Sequence, residues 1–132
     1  MKEAVRQSDL TDAFEAHRID NSTFRHKQHL QVAFELLGKY DFVEATSIYA
    51  QGIRTIATKA GAPQKFNTTV TFAFMSLIAE RLKEFTGDDF EAFLEGNSDL
   101  MSKDILENWY APEQLFSDTA RDIFPMPRAI VL

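Results

Sequence analysis

The chain has no cysteine, which excludes a disulfide framework, a thiolate metal site and a cysteine nucleophile. It is also poor in positive charge: 14 lysines and arginines stand against 20 aspartates and glutamates, for a net charge of −6. Nucleic-acid phosphates are held by positive patches, so a nucleic-acid partner is not expected. No apolar run is long enough to span a bilayer, and the opening MKEAVRQSDLTDAFEAH lacks the apolar stretch of a secretory signal. The expectation is a cytoplasmic protein without a membrane partner. In that setting the sequons Asn21-Ser22-Thr23 and Asn67-Thr68-Thr69 meet no glycosylation machinery. Clean strand alternation, internal repeats, a phosphate loop, a nucleophile elbow and a dinucleotide fingerprint are all missing.

What is present is a helical grammar with a phenylalanine-rich core. Twelve phenylalanines outnumber one tryptophan and three tyrosines, and 132 residues suffice to bury one sizeable core. A first helix is expected after the capping residues Ser8 or Asp9, with Leu10, Ala13 and Phe14 inward. A second is expected from about Thr23 to Leu37, stopped by Gly38. Asp41 and Glu44 open a third, whose inward face runs through Ala45, Ile48, Tyr49, Gly52, Ile53, Ile56 and Ala60 before Gly61 and Pro63 end it. Asn67 caps a fourth, which turns Val70, Ala73, Phe74, Leu77, Ile78, Leu82 and Phe85 inward. Asp88 with Glu91 starts a short helix ending at Gly96, and further short helices follow at Pro112 and Ser117. The apolar tail Ala129 to Leu132 would cover the core or a neighbouring subunit. The fold class expected is all-α: one domain over residues 1–132, a bundle of about four main helices with short C-terminal ones.

The chemistry centres on TFRHKQHLQVAFELL. His26 continues the stripe of Leu30, Ala33 and Leu37, and His29, one turn on, lies beside it. The two imidazoles therefore top an apolar stripe and can share a cavity. Such a pair can move protons near neutral pH or provide two metal ligands. A metal would need further groups, for which Glu80, Glu35 and His17 are candidates. The bland alternative is that each ring hydrogen-bonds a backbone carbonyl while the stripe packs below. Lys65 beside Asn67 stands at the mouth of the fourth helix, where an anion would be favoured. Glu80 with Arg81 could orient a histidine, and Trp109 and Tyr110 could line an apolar pocket or plug the bundle's end.

Three stretches carry a resemblance: FRHKQHLQVAFELL, AGAPQKFNTTVTFAFMSLIAERL and NSDLMSKDILENWYAPEQLFSDTARDIFPMPR. In order and spacing they resemble a family of small uncharacterised bacterial all-helical proteins. That family's pattern is F-x-H-x-x-H-[LV], then G-x-x-x-K-Y-H-x-T-x-T, then Y-Y-[SA]-x-E-x-L-x-S-x-x-A-R. The resemblance covers most of the chain beyond Thr23 and implies a helical fold, with no reaction attached. It falls on Phe24, His26, His29 and Leu30, then on Gly61, Lys65, Asn67, Thr69 and Thr71. Its last part falls on Trp109, Tyr110, Ala111, Glu113, Leu115, Ser117, Ala120 and Arg121. Phe66 stands where the pattern has tyrosine, and Asn67 where it has histidine. An asparagine oxygen serves a transition metal poorly, so a divalent-metal cofactor is disfavoured.

The expectation is a pocket between the second and fourth helices. His26 and His29 would act as general acid or base on a small polar or anionic molecule, with Lys65, Asn67, Glu80, Trp109 and Tyr110 as binding residues. The alternatives are a non-catalytic ligand-binding or homo-oligomerising protein and, more weakly, a metal-binding protein using His26 and His29.

Overall fold

The structure, a computed structural model, describes residues 7–128. Seven α-helices follow one another, and no strand occurs among the described residues: α1 (Asp9–Glu15), α2 (His26–Lys39), α3 (Phe42–Lys59), α4 (Thr68–Lys83), α5 (Phe90–Gly96), α6 (Pro112–Leu115) and α7 (Asp118–Asp122). Short 3-10 turns lie at Asn21–Thr23, Pro63–Lys65, Ser98–Met101 and Ile105–Asn108. The all-α reading therefore holds. No described helix is long and apolar enough to cross a membrane. The apolar tail from Ala129 to Leu132 lies outside the described residues.

Most helix starts follow from local caps. Ser8, Asp41, Asn67, Asp89 and Ser117 each accept a hydrogen bond from an amide of the following turn. Several boundaries differ from the sequence expectation. The second helix starts at His26, because Asp20 accepts from the Ser22 amide and winds Asn21–Thr23 into a separate 3-10 turn. It also runs past Gly38 to Lys39, stopping where Tyr40 turns extended and Asp41 begins the next cap. The cap of α5 is Asp89 in place of Asp88. Gly61 does take the left-handed conformation (φ 73°) at the end of α3.

The core is built around α2, which packs on α1, α3, α4 and α5. Val32, Ala33, Phe34 and Leu36 on this helix have no solvent exposure. Two groups of aromatic rings pack within the core. At one end Phe34 lies 5.0 Å from Phe93 and 5.5 Å from Phe90, with Phe85 edge-on to Phe93 at 5.3 Å. At the other, Phe14 stacks on both Phe24 and Tyr49, each at 5.8 Å. That second group continues through Phe74 to His26 and through Phe24 to His29, so the imidazoles extend an aromatic cluster.

Gly52 is where α3 meets this cluster. A Cβ placed there would stand 2.2 Å from Phe14 Cζ, well inside van der Waals contact. Glu35, buried on α2, accepts from the Ser8 amide at 2.6 Å, the Ser8 hydroxyl at 2.8 Å and Gln31 at 3.1 Å. Those bonds tie the start of α1 to α2 and satisfy a carboxylate that water no longer reaches.

The C-terminal region has little regular structure, and side chains satisfy its carbonyls. Thr68 donates to the Arg121 carbonyl at 2.7 Å. Thr69, fully buried, lies 2.7 Å from the Ala120 carbonyl and 2.9 Å from that of Ile123. Tyr110 donates to Pro125 at 3.1 Å, and Gln114 to Met126 at 2.9 Å. The threonine-rich start of α4 thus clamps α7 and the residue that ends it, Ile123.

Candidate functional site

His26 occupies the first position of α2 and His29 lies one turn on, so both rings leave the helix beside the aromatic cluster. They reach a cavity of about 210 Å³. Tyr49 and Ile53 of α3 form a second wall, Asn67, Val70, Thr71 and Phe74 of α4 a third, and Lys103, Ile105 and Leu106 a fourth. Lys65, in the 3-10 turn before α4, stands at the edge. The structure therefore brings His26, His29, Lys65 and Asn67 together.

The two imidazoles are in different circumstances. His26 Nε2 lies 2.8 Å from the Leu100 carbonyl, which can only accept, so Nε2 carries the proton in the neutral ring and Nδ1 keeps its lone pair. His29 is partly buried, with its ring 4.3 Å from that of Phe24, and no described residue hydrogen-bonds its nitrogens. Burial, reinforced by the neighbouring His26, pushes its pKa down to about 4. It is therefore neutral at pH 7, offering one donor and one acceptor. Burial also raises the Tyr49 phenol, which stays protonated and can donate.

Asn67 has two tasks already. Its carbonyl oxygen accepts from the Val70 amide at 3.0 Å, and its amide nitrogen donates to the Leu115 carbonyl at 2.9 Å. One N–H remains for the cavity. Because the cap and the tie to α6 share this side chain, Asn67→Ala is expected to cost about 2 to 3 kcal/mol. Urea denaturation followed by far-UV circular dichroism will measure it.

The remaining predicted site residues lie elsewhere. Glu80, Trp109 and Tyr110 line a separate, mostly apolar cleft of about 320 Å³, closed by Leu77 and the Phe124–Pro127 segment. Trp109 is 45% exposed on its rim, so it does not plug the bundle, whereas Tyr110 is buried with its hydroxyl committed to Pro125. Leu106 separates the two spaces and contributes to both. Arg81 does not steady a histidine: its guanidinium makes a bidentate pair with Asp99 at 2.9 and 2.7 Å and also reaches Asn97. That pairing holds the Asp99 carboxyl below its usual range.

The further groups that a metal would need are absent from the cavity. Glu35 is occupied at Ser8, Glu80 belongs to the other cleft, and His17 sits past the end of α1 with a positive φ of 57°. Among the described residues no cluster of three or more histidine, aspartate or glutamate side chains could hold an ion. Sequence reasoning missed Lys103 and Tyr49 as cavity residues. Tyr49 was readable only as one of seven positions on an inward helical face, and Lys103 had no signal in a polar loop.

No family model, no curated protein and no solved structure matches the chain.

Proposed function

We propose that this chain binds a small polar molecule in the cavity between α2 and α4. The supporting observation is the convergence of His26, His29 and Tyr49 on one space of about 210 Å³. That volume is below the roughly 300 Å³ at which sites for drug-sized ligands begin, so the occupant is a molecule of few atoms. Aromatic walls supply contact area, while two imidazoles and a phenol supply directional hydrogen bonds. The absence of cysteine fits a cytoplasmic setting for such a protein.

A second reading, general base catalysis, is favoured by one feature. The bond from His26 Nε2 to the Leu100 carbonyl orients that ring and leaves Nδ1 as the basic atom. Tyr49, held protonated, would then donate to the substrate.

The test is a small-molecule screen followed on the imidazole carbon-bound proton resonances of His26 and His29. Fragments that bind should move both rings. His29→Phe, which keeps a ring in the same partly buried place, should fold normally and weaken those fragments by about tenfold or more. A folded His29→Phe protein with unchanged affinity overturns the proposal.

A further inference from the structure

We propose that the molecule taken up by this cavity is a small anion, held at the mouth by Lys65 and Lys103; this rests on the reading of the cavity as a binding site. The charge distribution carries it. The chain has a net charge of −6, yet no carboxylate lines this cavity, and its only formal charges are the two lysines. Four other clefts on the described surface each include at least one aspartate or glutamate. A concave, low-dielectric space lined by one sign of charge concentrates the field within it and draws in the opposite sign.

Both ammonium groups are uncommitted. Elsewhere Lys27 pairs with Glu91, Lys39 with Glu15 and Arg81 with Asp99. Neither Lys65 nor Lys103 has an ion-pair partner among the described residues. They arrive from different segments, Lys65 from the turn that Pro63 initiates and Lys103 from the loop preceding Ile105. Two like charges at one opening repel one another, and an anion between them converts that repulsion into two attractive contacts.

The interior suits the rest of a small oxyanion. Tyr49 can donate, as can the free N–H of Asn67 and one nitrogen of neutral His29. The start of α4 adds little, since Asn67 itself caps the Val70 amide. Recognition thus depends on the lysines at the mouth and the side-chain donors within, and the space admits a carboxylate, sulfate or phosphate carrying little else.

The experiment titrates three probes: malonate, its uncharged counterpart malonamide, and sulfate. Binding is followed by calorimetry and by the His26 and His29 resonances. Malonate or sulfate should move both rings, with malonamide at least about tenfold weaker, and added salt should weaken the anions. Preference for malonate identifies a carboxylate ligand, and preference for sulfate a tetrahedral oxyanion. Lys65→Met/Lys103→Met should reduce anion affinity by about tenfold or more, while Lys65→Arg/Lys103→Arg should largely retain it. Both lysines are exposed, so the variants should melt like the parent. If malonamide binds as well as malonate and the double methionine variant keeps its affinity, the anion inference falls and the binding cavity stands. If none of the probes moves either ring, the anion inference falls, and the fragment screen alone then judges the cavity.

Discussion

Acidification from about pH 7 to about pH 4 is expected to cost the native state about 3 kcal/mol through His29 alone. In the unfolded chain this imidazole titrates near the ordinary 6.5; in the folded protein it is held at about 4. The unfolded state therefore takes up the proton first. Between those two values it binds more protons than the native state, and stability falls as the pH falls. Above 6.5 both states are neutral and the effect is absent; below about 4 both are charged and the loss is complete. The gap of about 2.5 converts at about 1.4 kcal/mol each. The groups facing His29 point the same way. His26 beside it opposes a second positive charge, Lys65 and Lys103 line the same cavity, Tyr49 stays neutral, and no carboxylate lines the cavity to stabilise an imidazolium.

Urea midpoints measured across this range should show that slope in the parent chain. His29→Gln should remove it while leaving the shallower contribution of the carboxylates. Glu15 and Asp99 are held below their usual range by hydrogen bonds and ion pairs, and so add their own loss further into acid. A His29→Gln protein with an unchanged slope would show that His29 is solvated in the native state.

Gly52→Val is expected to destabilise the fold by about 3 kcal/mol, lowering the melting temperature by on the order of 10 °C. The new Cβ would lie 2.2 to 2.9 Å from three ring atoms of Phe14. Phe14 cannot easily swing aside, being fully buried and stacked on Phe24 and Tyr49. Helix propensity opposes this loss by less than about 1 kcal/mol, because glycine is itself a poor helix residue. Steric overlap therefore wins. Combining Gly52→Val with Phe14→Leu should recover part of the loss, with a coupling of about 1 kcal/mol or more by thermal denaturation. Strict additivity would mean that the two helices adjust by sliding. A shifted α3 would also carry Tyr49 away from the histidines, so the effect should extend to ligand affinity.

These two residues illustrate what the sequence could and could not convey. A glycine in a helix interior costs about 1 kcal/mol against alanine, so Gly52 on the inward face of the third helix is accepted for close approach; the identity of Phe14 as its neighbour required the packed molecule. His26 and His29 were visible as an interruption of an apolar stripe. Caps were legible for the same reason: Ser8, Asp41, Asn67 and Ser117 act within one turn of their own position. Contacts between distant segments were not. Arg81 chooses Asp99 over its neighbour Glu80, and Tyr110 turns to Pro125 in place of the histidines. The stretches that begin at Phe24, Ala60 and Asn97 contain both a cavity wall and the threonine clamp, and order and spacing alone do not separate them.

That clamp has a consequence for how the molecule is made. As the chain is synthesised, α4 emerges before the carbonyls of Leu115, Ala120 and Arg121 that Asn67, Thr69 and Thr68 will bind. Its own cap on Val70 can form at once, being local. The other donors must remain hydrated until the C-terminal segment arrives and closes a long loop. Asn67 and Thr71 belong to the cavity wall, so that wall is finished only when the late segment docks. The pocket at the start of the second helix is, in order of assembly, one of the last parts of the protein to be completed.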